Sequence, residues 1–145
     1  MRCLCLQNQN DEMMKYKSLS DKHLEMFLVM DSWIECMQKN KNIESYLKKC
    51  DISNIIIYGM GYIGKRLYKD IKSKQFNIIC CDNNEIVCSN YNIKDEGELD
   101  PQIIIVTAIY NFFDIKKELD LRYSCVIISF DDLINRILIS KDSSN

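Results

Sequence analysis

The chain has 145 residues, 47% of them hydrophobic and 28% charged, with a formal net charge of −2 at pH 7. This composition excludes a disordered chain, and the length suits one domain able to bury about 70% of its unfolded surface without a disulfide or metal staple. The near-neutral charge gives no basic field for nucleic acid or anionic lipid, and no apolar run approaches the roughly 20 residues that a bilayer span needs.

Residues 1–18 are polar and irregular and read as a loose arm. Their one apolar patch, Cys3-Leu4-Cys5-Leu6, is too short for a secretory segment, so the expected compartment is the cytoplasm. Ser18 or Ser20 with Asp21 marks a helix start, and helical periodicity runs from there to about Gln38. This helix carries two apolar stripes, one of Leu24, Phe27, Leu28 and Ile34 and one of Met26, Met30, Trp33 and Met37. An α/β body can cover only one of them. The expectation is that Met26, Met30, Trp33 and Met37 stay exposed and form a homodimer interface, unless residues 1–18 or the next helix fold back over them. Asn40 to Asn42 breaks the helix, and Ile43 to Lys49 forms a short second one.

The periodicity then changes. Ile55-Ile56-Ile57, within a strand over Ile52 to Tyr58, is a continuous β-branched run of the kind buried on both faces of a parallel sheet. A helix over Tyr62 to Lys74 follows, with Ile63, Leu67 and Ile71 on one face, then a second strand over Phe76 to Cys81. Residues 85–100 are ambiguous, with a short strand at Ile86-Val87-Cys88. Gln102 to Ala108 is a strand, Asn111 to Leu121 a helix, Ser124 to Ser129 a strand, and Ser129 with Asp132 caps a last helix to about Ile139. Strands alternating with helices of about ten residues imply crossover units and a parallel sheet covered on both faces.

Eight cysteines do not make a disulfide framework here. Cys80, Cys81 and Cys125 lie in strand runs, where a thiol acts as a small hydrophobe. Cys3 and Cys5 have no matching second pair, and His23 is the only histidine, so no metal site is expected.

The chain has four glycines, and Gly59, Gly61 and Gly64 fall within six residues. Gly59-Met60-Gly61-Tyr62-Ile63-Gly64 matches G-x-G-x-x-G between a buried strand and a helix, and Asp82 follows 18 residues after Gly64 at the end of the next strand. In that context the first glycine permits the tight turn. The second lets a pyrophosphate approach the backbone, and the third allows close helix–sheet packing. The helix N-terminus offers N–H groups to the phosphate. Asp82, beside Asn83, can accept a ribose diol and would repel a 2′-phosphate, so NAD or a UDP- or ADP-type ligand is favoured and NADP disfavoured. Thr107, Tyr110 and Asn111, at the end of the third strong strand, are candidates to line the same pocket, Asn111 equally a helix cap.

No catalytic set is legible. Tyr68 and Lys72 spell Y-x-x-x-K, the string of short-chain dehydrogenases and sugar epimerases, but on the first helix after the glycine loop, where it cannot face a nicotinamide. His23 is solitary, and Asp31 lies inside the apolar arc of its helix. If the chain is an enzyme, an epimerase- or dehydratase-like activity or an NAD-dependent oxidation is the expectation.

The stretch IIIYGMGYIGKRLYKDIKSKQFNIICCDNN, followed by DPQIIIVTAIYNFFDIKKEL, resembles the small Rossmann-like domains of bacterial surface-polysaccharide clusters. Among these are the N-terminal domain of sugar acyltransferases and the first half of nucleoside-diphosphate-sugar epimerases. The resemblance spans about residues 52–139 and implies nucleotide contacts at Gly59, Gly61, Gly64 and Asp82. The substrate-binding half and acyltransferase domain of those relatives have no counterpart in these residues, so catalysis by this chain alone is not expected, and a module acting with a partner enzyme in glycan synthesis is.

The expected architecture is thus a Rossmann-like three-layer α/β sandwich with four or five parallel strands. Its domains are an N-terminal arm and helical extension over 1–50, a nucleotide-binding domain over 51–140 and a tail over 141–145. The candidate site is Gly59, Met60, Gly61, Tyr62, Ile63, Gly64, Asp82, Asn83 and Thr107. A nucleotide-binding module competes with a degenerate, non-binding domain that serves assembly or regulation.

Overall fold

The computed structural model describes residues 2–82 and 100–141. In chain order the elements are α1 (Arg2–Gln38), α2 (Ile43–Lys49), β1 (Asn54–Tyr58), α3 (Tyr62–Ile71), β2 (Asn77–Cys81), β3 (Ile103–Val106), a 3-10 turn (Ile109–Asn111), α4 (Phe112–Asp120), β4 (Val126–Ser129) and α5 (Phe130–Ile139). The four strands form one sheet in the order β2-β1-β3-β4, and every neighbouring pair is parallel. Ile56 stands between Ile79 and Ile104, and Ile57 between Cys80 and Ile105. This is the Rossmann-like α/β sandwich that the β-branched runs predict. The expected strand at 86–88 and Asn83 lie outside the described residues.

The two sheet faces have separate cores. Ile55, Ile57, Cys80, Ile103, Ile105 and Ile128 pack against α1, α2, α3 and α5. Ile56, Tyr58, Ile79, Cys81, Ile104, Val106 and Ile127 pack against Leu119, Phe112 and Ile115 of α4. The chain moves in opposite directions across the sheet from β1 to β2 and from β3 to β4, so a constant crossover hand puts α3 and α4 on opposite faces.

Helix α1 departs from expectation twice. It runs for 37 residues from Arg2, so residues 2–18 are helical rather than an irregular arm. No glycine or proline precedes Gly59 to interrupt it. Ser18, read as a start signal, sits within the helix with its hydroxyl 3.4 Å from that of Tyr110. The second correction concerns the stripes. Val29, Trp33 and Cys36 are buried, and Met26 and Met30 pack on the same core, while Leu24, Phe27, Leu28 and Ile34 are exposed. Of the stripe expected to face solvent, Met37 alone is exposed. The deciding contact is Trp33 against Phe130 of α5, which turns the Trp33 side of α1 inward.

Helices α1 and α2 both end in the same way. Asn40 adopts φ +55°, with its N–H donating to Met37 O and the Lys41 N–H to Cys36 O. Asp51 adopts φ +57°, with its N–H donating to Lys48 O and the Ile52 N–H to Leu47 O. These are Schellman closures, with Asn and Asp tolerating the left-handed position that glycine usually fills. The side chain of Lys41 then reaches α5, where Nζ donates to the carbonyls of Leu138 and Ser140, both at 2.8 Å. Residues 29–49 therefore share one core with the sheet. At the start of α5 the expected cap is not made: Ser129 occupies the N-cap position without a side-chain bond.

Candidate functional site

The carboxyl edge of the sheet between β1 and β3 is a topological switch point: β2 lies to one side of β1 and β3 to the other. Ligands of open α/β sheets bind in the crevice where the loops diverge at such a point. The β1–α3 loop carries Gly59 and Gly61 and leads directly into Gly64 on α3.

The three glycines are not equivalent. Gly59 has φ +101°, and a Cβ there would stand 2.7 Å from Thr107 Oγ1. A Cβ on Gly64 would overlap the carbonyl oxygen of Gly59 and stand 2.9 Å from its carbonyl carbon. Folding itself demands both. Gly61 has φ −73° and ψ −158°, a conformation open to any residue, and among the described residues nothing beyond its own chain neighbours lies within 4 Å of a Cβ built on it. It is also the N-cap of α3, where Ser, Thr, Asp or Asn would satisfy a first-turn N–H group. Here no side chain does so.

Two side chains brace the loop. Asp82, half-buried at the end of β2, accepts the Met60 N–H on Oδ2 at 2.5 Å. Thr107, buried at the end of β3, donates its hydroxyl to Gly59 O at 2.5 Å and lies 3.2 Å from Tyr58 O. The Gly59 N–H donates to Cys81 O at 2.8 Å, which ties the turn to β2. The loop is thus held from both neighbouring strands.

The remaining candidates divide by burial. Met60 and Ile63 point into the core and can offer a ligand only backbone. Tyr62 is 80% exposed on the first turn of α3, beside Gly61. Tyr110 faces α1, with the Lys22 ammonium 5.1 Å from its ring centroid. Asn111 stands at the N-cap of α4 without a side-chain bond. Tyr68 packs against the core, and Lys72 ends α3, so Y-x-x-x-K stays on the helix behind the loop. His23 and Asp31 are exposed on α1.

The site can therefore do two things chemically. Backbone amides at the head of α3 can take an anion over a glycine with no side chain in the way. A carboxylate alongside can take hydroxyl donors. Nucleophilic chemistry has no support in Cys80, the cysteine of β2 one residue before the strand's end, because burial pushes its thiol up to about 12. Among the described residues no group of His, Cys, Asp and Glu could hold a metal ion, and no helix is long and apolar enough to cross a membrane.

Sequence reasoning missed the role of Thr107 as a strut and the bond from Met60 to Asp82. The first depends on β3 lying beside β1, and the second on a loop path that a motif string does not specify. No protein-family model, no curated protein and no solved structure matches the chain.

Proposed function

We propose that the chain is a nucleotide-binding module whose phosphate seat is the backbone at Gly61 and whose ribose acceptor is Asp82. One observation carries this reading. Packing accounts for Gly59 and Gly64, but no contact among the described residues calls for glycine at 61. A bare backbone at the head of a ten-residue helix, left without a cap, is what a phosphate needs and what the fold alone does not. The carboxylate of Asp82 favours a free ribose diol, hence NAD or a nucleoside-diphosphate sugar over NADP. A place beside a partner enzyme of glycan assembly is the further step, and it rests on the resemblance of residues 52–139.

The test is calorimetry and thermal shift with NAD, NADP and UDP-sugars on wild type, Gly61→Val and Asp82→Ala. A ligand at 100 times its Kd adds about 2.7 kcal/mol of stability. Gly61→Val should still fold, at a cost of about 1 kcal/mol for losing glycine from the N-cap, and lose binding, since the new side chain fills phosphate space. Asp82→Ala should bind about 10- to 150-fold more weakly, the loss of a hydrogen bond to a charged group. Asp82→Asn separates the two roles, because its amide oxygen can still accept the Met60 N–H. A panel in which no ligand raises the melting temperature, or in which Gly61→Val binds like wild type, leaves the non-binding assembly module as the answer.

A further inference from the structure

We infer that α1 pairs antiparallel with α1 of a second copy of this chain, about a two-fold axis at Leu24. The argument begins with which side of α1 is covered. Successive residues turn about 100° around a helix, so Trp33, nine residues after Leu24, lies on the opposite side. Trp33 is inside the core and Leu24 is exposed. Ser18 and Lys22 meet Tyr110, which follows β3, and Lys41 meets the end of α5, so α1 runs down the body from the carboxyl edge of the sheet. Residues 7–17 lie before that first contact and all are exposed. At about 1.5 Å per residue they carry the helix well beyond the sheet edge. A projecting helix with no packing partner among the described residues has little to hold it, since helical stability comes mostly from burial of an amphipathic face.

That face exists. Met13, Tyr16, Leu24, Phe27 and Ile34 are exposed at 69, 74, 56, 66 and 48% and lie along the side away from the body. Side chains of this kind present several hundred Å² together, above what solitary surface residues amount to and close to one side of a standard interface, roughly 800 Å² per partner.

Charge chooses the occupant and its direction. Seven residues turn only about 20° short of two full turns, so Lys17, Leu24 and Asp31 fall on one line of this face. Lys17 and Asp31 are each seven residues from Leu24. An antiparallel pair centred on Leu24 therefore sets each Lys17 against Asp31 of the second copy, twice by symmetry. The same register puts Leu28 opposite the small Ser20 and Ile34 opposite Met14. A parallel pair would set Lys17 against Lys17 and Asp31 against Asp31. An anionic membrane is a poor occupant, because α1 carries six carboxylates and four cations, with Asp31 set between Phe27 and Ile34 on the apolar face. The α/β bodies stand on the outer sides of the pair and do not meet.

Sedimentation equilibrium at tens of micromolar tests this, with Phe27→Glu, Lys17→Glu and Asp31→Lys beside wild type. All three positions are exposed, and circular dichroism checks that each variant folds. Wild type should be a dimer and Phe27→Glu a monomer. Lys17→Glu and Asp31→Lys should each weaken the dimer about tenfold, the result of two like-charge contacts per pair. An equal mixture of those two variants should restore it. In the mixed pair the introduced glutamate faces the introduced lysine, and the native Lys17 of one copy faces the native Asp31 of the other. A wild-type monomer overturns the proposal and leaves the face to a different protein. A dimer that survives Phe27→Glu overturns it too, and a dimer whose charge variants fail to rescue each other overturns the antiparallel register. None of these outcomes bears on nucleotide binding.

Discussion

Trp33 meets Phe130 edge-on, with ring centroids 4.9 Å apart and planes inclined at 68°. The pair joins the first helix to the last across the face of the sheet that also carries α3. Trp33→Ala should lower the unfolding free energy by about 3–5 kcal/mol, the range for deleting a buried aromatic side chain. Phe27→Ala, six residues earlier and exposed, should change it by no more than about 0.5 kcal/mol. Urea denaturation at a dilution where the chain is monomeric reads both. Equal effects would mean that the two sides of α1 have been assigned the wrong way round.

The glycines of the loop should separate by stability alone. Gly64→Ala drives a methyl group into the Gly59 carbonyl and should cost about 1–3 kcal/mol or prevent folding. Gly61→Ala meets nothing among the described residues and should cost no more than about 1 kcal/mol, as expected for replacing glycine by alanine at an N-cap. Thermal melts without ligand make the comparison.

Thr107→Val keeps the shape of the side chain but removes the hydroxyl that holds Gly59 O. The half-buried carbonyl then loses that donor, at about 1–3 kcal/mol. Thr107→Ser should recover most of that. If binding falls with Thr107→Val and returns with Thr107→Ser, Thr107 is a positioning residue for the loop.

Lys41→Met should fray the end of α5. Its ammonium donates to Leu138 O and Ser140 O, where the helix leaves carbonyls without partners. The expected loss is about 1–2 kcal/mol, with faster amide exchange confined to the last turn of α5 and the first residues after it.

The thiols give a chemical map of the same core. Burial raises Cys36, Cys80 and Cys125 above the ordinary thiol range, with Cys80 pushed up to about 12. Cys50 is exposed. Alkylation at mildly alkaline pH followed by peptide mapping should find Cys50 labelled well before Cys36 and Cys80, since only the thiolate reacts. Labelling of Cys80 should follow unfolding, and its rate should rise with urea.

Much of the architecture is legible in the sequence because it rests on local pattern. Ile55-Ile56-Ile57 and Ile103-Ile104-Ile105 announce doubly buried strands, and the break read at Asn40 to Asn42 falls where α1 ends. The orientation of α1 is not legible. Phe27 and Trp33 are alike in apolarity, and the choice between them is made by Phe130, some hundred residues away in sequence. The start of α1 escapes sequence reading because serine and aspartate signal helix beginnings only statistically, and Ser18 finds its partner on Tyr110 instead. At the loop, the string from Gly59 to Gly64 assigns each glycine a reason by its place in the motif. The distances divide them into two that packing needs and one that it does not.

The joining of α1 to α5 has a consequence for biosynthesis. Val29, Trp33 and Cys36 leave the ribosome about a hundred residues before Phe130, Ile134 and Leu138. Through that interval the inner side of α1 lacks its α5 cover, and the parallel strands beside it cannot pair until their crossovers are complete. The nascent chain thus carries an apolar helix that waits for α5, and Lys41 can reach Leu138 only after strands β1 to β4 have been made.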